Sequence, residues 1–257
     1  MLIAAEKVPT TKKLATQIQA AQTMRWLHAE EPKTPAQVFK LLKLDKEGLV
    51  LFQNPLFGAW MQYTDDFRRI HFGNKLTTIS TLRRYYRDDV LAKMILAASK
   101  SQGTANIGAR LYAELLRTWF INKFSPENVF KLLKLDRAGD TFFENPLFTV
   151  WLKYVKYVND ADPKQKINLL TTLTTVIRER DLAKAFIVGK NVPELKNIAS
   201  KLQTAQLRSW LSAKKDPVEV FYLLRAIEGG EGAALYTTYI SAFKAASSKR
   251  KTTNTKT

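Results

Sequence analysis

Apolar residues recur along the chain with the spacing of α-helices, and one such helical pattern occurs twice. The segment Val38–Tyr63, VFKLLKLDKEGLVLFQNPLFGAWMQY, returns 91 residues later as Val129–Tyr154, VFKLLKLDRAGDTFFENPLFTVWLKY. The two copies are identical at 16 of 26 positions, far beyond chance for unrelated segments. We therefore interpret the chain as an array of one repeated structural unit.

Each copy contains the start signals of two helices. The apolar run VFKLLKL is entered through Thr34-Pro35 in the first copy and through Ser125-Pro126 in the second. Serine and threonine cap the free amide groups of a helix start, and proline suits the first helical position. An Asn-Pro pair repeats this signal later in each copy, so a second helix is predicted there.

The second helix carries its large side chains on one face. They fall at i, i+4, i+7 and i+11, which is the spacing of one stripe along an α-helix. The stripe consists of Leu56, Trp60, Tyr63 and Phe67 in the first copy and of Leu147, Trp151, Tyr154 and Val158 in the second. The spacing predicts that both tryptophans pack in a bundle core and do not serve as stacking platforms or peptide anchors.

The correspondence continues beyond these segments at the same offset. Long helices open at Asn106-Ile107 and Asn197-Ile198 and end in LRTWF around Trp119 and LRSWL around Trp210. Near the amino terminus, a looser copy of this helix is predicted. Its residues are Leu14, Ile18 and Trp26.

The period is about 91 residues and contains roughly five helices. We predict a first repeat over 8–100, a second over 101–190, a truncated third over 191–247 and a disordered basic tail over 248–257. In the third, a glycine-rich run at 229–232 replaces the Asn-Pro signal, and Phe243 is predicted to stand where the tryptophan stood. Terminal repeats are commonly atypical because one face has no neighbour. No segment alternates as a strand does, so the predicted fold class is all-α.

Composition narrows the classes of function. The 257 residues include no cysteine, which excludes disulfides, thiolate metal sites and cysteine catalysis. The net charge of +18 favours nucleic acid, anionic lipid or an acidic protein as partner, or simply keeps an apolar-rich array soluble. No run approaches the roughly 18 apolar residues of a membrane span. The start, MLIAAEKVPTTKK, lacks the pattern of a signal peptide, so any targeting segment is expected upstream.

Candidate catalytic and ligand-binding groups have simpler explanations. His28 and His71 lie at non-equivalent positions and are interpreted as solvated or half-buried. The run 103–108 has no phosphate-loop lysine and is interpreted as a turn. Asp65-Asp66 and Asp88-Asp89 are adjacent pairs, and neighbours on a helix do not face one substrate, so capping or solvated positions are predicted. We predict no catalytic residue, no cofactor, no metal and no small-molecule substrate; the protein is not expected to be an enzyme.

Three acidic residues are predicted to lie at the starts of helices. Asp88, Asp89 and Glu179 stand where a helix would begin, and carboxylates are favourable at that positive end.

The order of these motifs resembles the tandem LWY repeats, or WY domains, of oomycete RXLR effectors. The resemblance rests on VFKLLKLD…NPLF..W..Y, the leucine-rich helix before YRDDVLAKM, and a long tryptophan-bearing helix before the next SP..VF. Trp60 and Trp151 match the family's tryptophan, and Tyr86 matches its tyrosine, which Ile177 replaces in the second copy. No Arg-x-Leu-Arg string occurs, as expected if a leader is missing here. The predicted structural core comprises Trp60, Tyr63, Tyr86, Trp119, Trp151, Tyr154 and Trp210.

The resemblance implies helical bundles joined end to end into an elongated rod. It also implies a secreted pathogen protein that acts in the cytoplasm or nucleus of plant cells and suppresses immunity by binding host proteins. Some tandem-repeat members recruit a host protein phosphatase 2A core enzyme, so that enzyme is a candidate partner. The alternative is a basic helical-repeat protein that binds nucleic acid, with Lys249-Arg250-Lys251 as a weak nuclear signal.

Partner specificity is predicted where the copies differ, because the residues they share build the fold. The candidate regions are four exposed loops at which the copies differ, and no individual partner-binding residue is assigned within them. The loops are His28–Lys33, Thr64–Lys75, Asn159–Lys166 and Glu228–Gly232.

Overall fold

The computed structural model of the protein describes residues 21–71, 76–164 and 166–253. These ranges form helices joined by turns, and no strand occurs within them, which confirms the all-α fold class. The chain divides into two compact units, Met1–Lys123 and Phe124–Thr257. The predicted repeat bounds follow the sequence period and stay a prediction. The start of the first repeat, with Leu14 and Ile18, lies outside the described residues.

The first unit contains five complete helices in its described part, after a helical segment over residues 21–27. They are α1 (Pro35–Leu41), α2 (Pro55–Ile70), α3 (Thr78–Leu82), α4 (Asp88–Lys100) and α5 (Ala105–Ile121). Two 3-10 segments, Leu44–Lys46 and Gly48–Gln53, connect α1 to α2.

The second unit repeats this order and then begins it again. Its helices are α6 (Pro126–Leu132), α7 (Leu147–Ala161), α8 (Leu169–Val176), α9 (Glu179–Gly189), α10 (Lys196–Ser212), α11 (Pro217–Leu223) and α12 (Gly230–Thr253). The 3-10 segments Leu135–Arg137 and Gly139–Glu144 precede α7, and Ala226–Glu228 precedes α12.

The predicted caps form in both copies. The side-chain oxygens of Thr34 and Ser125 accept from the backbone amide three residues further on, at 3.3 and 3.2 Å. Those of Asn54 and Asn145 accept from the amide two residues further on, at 2.8 and 3.0 Å. Each oxygen satisfies an amide that has no partner within its helix. The repeated helix starts are therefore confirmed.

The segment that precedes the last helix is shorter in the third copy than in the other two. Helix α12 begins at Gly230, directly after the 3-10 segment, and the described chain has no counterpart there of Gly139–Glu144. Gly229 and Gly230 have positive φ values of 75° and 61°, which side-chain-bearing residues rarely adopt. A Cβ atom on Gly232 would lie 2.2 Å from the carbonyl oxygen of Leu224. Glycine therefore permits both the sharp turn and the close approach of α12.

This six-residue deletion moves the aromatic residues of α12 relative to the repeat. The ring of Tyr236 lies 5.1 Å from that of Phe221, just as Trp151 lies 5.2 Å from Phe130. Tyr236 thus occupies the tryptophan position. The prediction that Phe243 stands there was wrong, because counting at a constant offset ignores the lost 3-10 segment.

The residues that follow Tyr236 confirm the shifted register. The hydroxyl of Tyr239 donates to the carbonyl oxygen of Lys215 at 2.6 Å, as that of Tyr154 donates to Phe124 at 2.5 Å. Phe243 packs one turn beyond Tyr239, with 5.9 Å between ring centroids. The third copy is therefore shorter than the others but keeps the ring contact with Phe221 and the tyrosine hydrogen bond to Lys215.

The end of α12 differs from the predicted disordered tail over 248–257. The backbone is helical as far as Thr253, and residues 254–257 lie outside the described part. Alanine, lysine and arginine have high helix propensity, and basic residues are favourable near a helix carboxyl end. These local preferences extend the helix into a segment whose polarity alone suggested disorder.

A left-handed residue follows each short helix after the repeated entry signal. Lys43, Lys134 and Arg225 have φ values of 58°, 56° and 51°. Glycine is the usual residue in this conformation because a Cβ atom is strained there. The fold therefore holds basic side chains where glycine would relieve backbone strain.

Replacing Lys43 with glycine is expected to raise the free energy of unfolding by up to about 1 kcal/mol, since a left-handed non-glycine residue is strained. Lys40 lies in the last turn of α1 and is also exposed, so Lys40→Gly serves as the matched variant. It should lower the same free energy by about 1 kcal/mol. Urea unfolding of both variants measures the opposite signs; a loss of stability in both would contradict the assigned strain.

Candidate interaction surface

The seven residues predicted for the structural core lie inside the two units. Six are buried, and Tyr86 is half-buried. The indole nitrogens of Trp60 and Trp151 each donate to a proline carbonyl oxygen, of Pro35 and Pro126, at 2.8 Å. Since each side chain is fully buried and its polar atom is already bonded, neither tryptophan presents a surface to a partner.

The tyrosines one helical turn further on join α2 and α7 to the segments before α1 and α6. The hydroxyls of Tyr63 and Tyr154 donate to the carbonyl oxygens of Lys33 and Phe124, each at 2.5 Å. Burial raises the pKa of both tyrosines to about 12, so they remain protonated donors near neutral pH. Their role is to hold the bundle together.

Tyr86 shows what the second copy loses at this position. Its hydroxyl donates to the carbonyl oxygen of Gly48 at 3.0 Å. Ile177 stands at the equivalent place and is buried, so it keeps the packing without the hydrogen bond.

The tryptophans of the long helices pair with acidic residues at helix starts. The indole nitrogen of Trp119 donates to Asp88 at 3.1 Å, and that of Trp210 donates to Glu179. Helices α4 and α9 begin at these acids, as predicted. The interpretation of Asp88 as merely capping or solvated was wrong, however. Its side chain is only 9% exposed and also pairs with Arg83 at 3.0 Å.

The remaining candidate groups are not arranged as a catalytic or metal centre. Asp65 pairs with Arg110 at 2.6 Å, and Asp66 pairs with Arg69 at 2.7 Å. His28 is exposed on the surface. In the described ranges, no three His, Asp or Glu side chains cluster as metal ligands would. No described helix has the length and apolar character needed to cross a membrane.

His71 lies at the carboxyl end of α2 and is half-buried. Its ring lies 4.5 Å from that of Phe67, so the side chain packs against the apolar stripe of the helix.

Of three predicted loops, the structure keeps the first as a loop and revises the other two. His28–Lys33 is a mostly exposed turn. Thr64–Lys75 is not one loop, because Thr64 to Ile70 belong to α2 and Thr64 is buried. Residues 72–75 lie outside the described part. Glu228–Gly232 is the tight entry to α12 described above.

The fourth region, Asn159–Lys166, borders an open groove in the second unit. The groove has a volume of about 760 Å³ and lies between α7, α8 and α10. Its apolar side chains come from all three helices and from the turn before α8. They are Leu152, Val155, Ile167, Leu169, Leu170, Ile198, Leu202 and Ala205. An apolar concavity of this size is within the range of about 300–1,000 Å³ that is typical of ligand sites.

Basic side chains surround this apolar floor. Lys153 and Lys156 come from α7, Lys166 from the turn and Lys201 from α10, and all four are exposed. Asp160 is the one carboxylate among the described lining residues, and it pairs with Lys156 at 2.6 Å. The groove therefore combines an apolar floor with a positively charged rim.

The equivalent positions of the first unit are joined by contacts that the second unit lacks. Arg110 on α5 donates to both carboxylate oxygens of Asp65 on α2 at 2.6 Å. Lysines 156 and 201 occupy these two positions in the second unit. Opposite charges that tie two helices together are thus replaced by two charges of the same sign.

A second contact of the first unit is lost as well. The carboxylate of Glu114 on α5 accepts from the amide of Ile79 at 2.8 Å and fastens α3 to α5. Ala205 stands at the position of Glu114 and lines the groove. The comparison of loops missed these helix residues, although aligning the copies at the 91-residue offset would have shown each substitution.

The comparisons with known proteins agree with the repeat. A family model described as the WY-domain of the effector PexRD54 matches residues 21–64, in the first unit, and residues 114–155, which run from α5 of the first unit to α7 of the second. An RxLR effector protein PSR2 of Phytophthora sojae is 35% identical over 231 residues, which cover 90% of this chain and 34% of the relative. A PSR2 protein of Phytophthora infestans is 36% identical over 226 residues, 87% of this chain and 29% of the relative.

A solved structure supports the same assignment. The crystal structure of PcRxLR12 is 34% identical, has a TM-score of 0.75 and covers 95% of this chain and 61% of that one. The chain spans about a third of the length of the PSR2 relatives, which it matches at 34% and 29% coverage. Together with the repeated caps and buried tryptophans, these matches confirm the resemblance: the chain belongs to the WY-domain repeat proteins of the oomycete RxLR effector family.

Proposed function

We propose that the protein is a secreted pathogen effector that acts inside host plant cells as a non-enzymatic scaffold for binding host proteins. The observation that carries this proposal is that the residues shared by the copies are buried, whereas residues that differ between them are exposed. Shared side chains such as Trp60 and Trp151 are buried in packing, while the copies differ at the exposed groove of the second unit. Surfaces that differ on a common framework are how helical repeats acquire separate partners.

A host protein phosphatase 2A core enzyme is the candidate partner that the family resemblance supports. Binding to it in the cytoplasm or nucleus would connect the scaffold to the suppression of immunity. The test is affinity purification of the chain from plant cells, followed by mass spectrometry that includes the phosphatase subunits. Isothermal titration of the purified core enzyme then measures direct binding.

We expect stoichiometric recovery of a host protein that persists when the salt concentration is raised. The control for a general effect of charge is Lys244→Asp. Lys244 is exposed on α12 and does not line the groove, so this variant lowers the net charge without altering the groove. If the purified phosphatase does not bind but another host protein does, the scaffold role stands and the phosphatase assignment fails. Recovery of no host protein would overturn the scaffold role itself.

Nucleic-acid binding is the second candidate function, and the net charge of +18 favours it. Binding by neutralisation of phosphates depends steeply on salt. For about 6–10 phosphate contacts, affinity should fall by about 10³–10⁵ between 50 and 200 mM salt. Tight RNA or DNA binding with this dependence, without recovery of a host protein, would replace the scaffold proposal.

A further inference from the structure

The groove of the second unit is elongated along α10. An open pocket of about 630 Å³ on the exposed face of α10 shares Lys201 and Ala205 with it and extends to Arg208. From Ile198 to Arg208, α10 rises about 15 Å at 1.5 Å per residue. A groove and an adjoining helix face that together follow α10 for about three turns suit an elongated ligand more than a compact small molecule.

The floor of the groove offers apolar contacts that the fold itself leaves uncovered. Ile198 and Leu170 are half-buried and Leu202 is buried, and all three line the groove. Apolar side chains spaced along a helical groove are the usual receptor for an amphipathic helix, which inserts residues at i, i+3 or i+4, and i+7.

The rim selects the charge of the ligand. Lys153, Lys156, Lys166 and Lys201 surround the floor, and Arg208 extends the basic surface along α10. Carboxylates on both sides of an apolar stripe would meet these groups, whereas a basic helix would be repelled. Charge complementarity therefore requires an acidic ligand.

The first unit indicates why this surface is available. There the positions of Lys156 and Lys201 hold Asp65 and Arg110, whose ion pair links α2 to α5. Two lysines cannot form that link. Lys156 pairs instead with Asp160 on its own helix, and both Lys156 and Lys201 are exposed to solvent. Residues from another molecule can then supply the missing carboxylate.

Other polyanions fit less well. Single-stranded nucleic acid is normally bound by aromatic side chains on which bases stack, and none of the described lining residues is aromatic. A lipid head group would satisfy the lysines but would leave the apolar strip along α10 without a complementary surface.

We propose that the groove between α7, α8 and α10 binds an acidic amphipathic helix of a partner protein. This inference rests on the proposed scaffold function and gives it a site. The helix inserts its apolar stripe between α7 and α10, and its flanking Asp or Glu residues pair with Lys156 and Lys201. The ligand class is therefore defined by an apolar stripe with carboxylates on both sides.

A synthetic helical peptide of about 14 residues, or about 21 Å, is the probe. It carries leucines at i, i+4 and i+7 and glutamates on both flanks; the control peptide has lysines in place of the glutamates. Binding to the full chain is followed by fluorescence anisotropy and by methyl NMR. The methyl groups of Ile198 should shift, whereas those of Ile107, at the equivalent position of the first unit, should not.

The test variant Lys156→Asp/Lys201→Arg transfers the ion pair of the first unit into the second. The double variant should keep the melting temperature of the unaltered chain and bind the acidic peptide with an affinity lower by about tenfold or more. Lys244→Asp changes net charge by the same amount and should leave affinity unchanged. Equal binding of the acidic and basic peptides, unchanged affinity in the double variant, or shifts at Ile107 as large as at Ile198 would overturn the site.

Two further measurements distinguish the acidic helix from other ligands and distinguish the groove proposal from the scaffold proposal. The first adds phosphatidylserine vesicles or single-stranded RNA in place of the peptide. If either shifts the methyl signals of Ile198 and the acidic peptide does not, the choice of a protein helix as ligand is overturned. Host proteins retained equally by the double variant would overturn the groove as their site and leave the scaffold role intact. Peptide binding at Ile198 without recovery of any host protein would support the groove and overturn the scaffold role.

Discussion

Replacing Trp60 with alanine should lower the free energy of unfolding by about 3–5 kcal/mol, the cost of removing a large aromatic side chain from a core. The side chain is fully buried. Its ring lies 4.7 Å from Phe39 and 5.5 Å from Phe57, so its loss leaves a cavity between α1 and α2. Thermal and urea unfolding of the purified variant measure the effect.

Trp60→Phe is the matched control for the packing contribution. It keeps an aromatic ring but leaves the carbonyl oxygen of Pro35 without the indole donor, which should cost about 1–3 kcal/mol. Trp151→Ala should behave like Trp60→Ala, because its indole bonds to Pro126 at the same distance of 2.8 Å. Normal melting of Trp60→Ala together with lost partner binding would contradict the core role and make this tryptophan a binding residue.

The sequence was sufficient for the framework because the decisive signals are local. An Asn-Pro pair and a stripe of apolar residues each specify a helix through contacts within one or two turns. Asn54 caps α2 through an amide only two residues away. Repetition then strengthens every such signal, since the same caps and stripes occur again at a constant offset.

The burial of Asp88 could not be predicted in this way. Its partners are Arg83, five residues away, and Trp119, 31 residues away. Only the packing of α4 against α5 brings the indole to the carboxylate. A carboxylate at a helix start has the same local pattern whether its side chain is exposed or buried.

The groove shows a similar limit of sequence reasoning. Predicting exposed loops identified Asn159–Lys166, which borders the groove, but missed the lysines of α7 and α10. Position 156 and position 201 are 45 residues apart, and their relation becomes visible only through the pair Asp65–Arg110 of the first unit. The difference between two copies is informative once the structure shows which residues of one copy are in contact.

The predicted register of α12 was wrong for another physical reason. A deletion inside a repeat changes the offset but not the packing, because the aromatic residues must still meet Phe221 and the carbonyl of Lys215. Tyr236 and Tyr239 satisfy these contacts, and the glycines at 229 and 230 absorb the change in the connecting turn.

Replacing Asp88 with alanine should lower the free energy of unfolding by about 3 kcal/mol, the lower end of the cost of breaking a buried ion pair. The carboxylate accepts from the Trp119 indole at 3.1 Å and pairs with Arg83 at 3.0 Å. Its removal deletes the carboxylate that accepts from this indole, and α4 loses a favourable charge at its amino end. The side chain of Arg83 is 25% exposed and can turn towards water, which limits the loss.

Two comparisons separate burial from charge in this effect. Asp88→Asn retains an acceptor for Trp119 and removes only the charge, so it should cost about half as much, roughly 1–2 kcal/mol. Glu179 occupies the equivalent position in the second unit, but its side chain is 38% exposed. Glu179→Ala should therefore cost about 1 kcal/mol, because water can replace an exposed partner. Urea unfolding of the three variants measures the order, and equal losses at positions 88 and 179 would show that burial does not set the strength of these acid–tryptophan pairs.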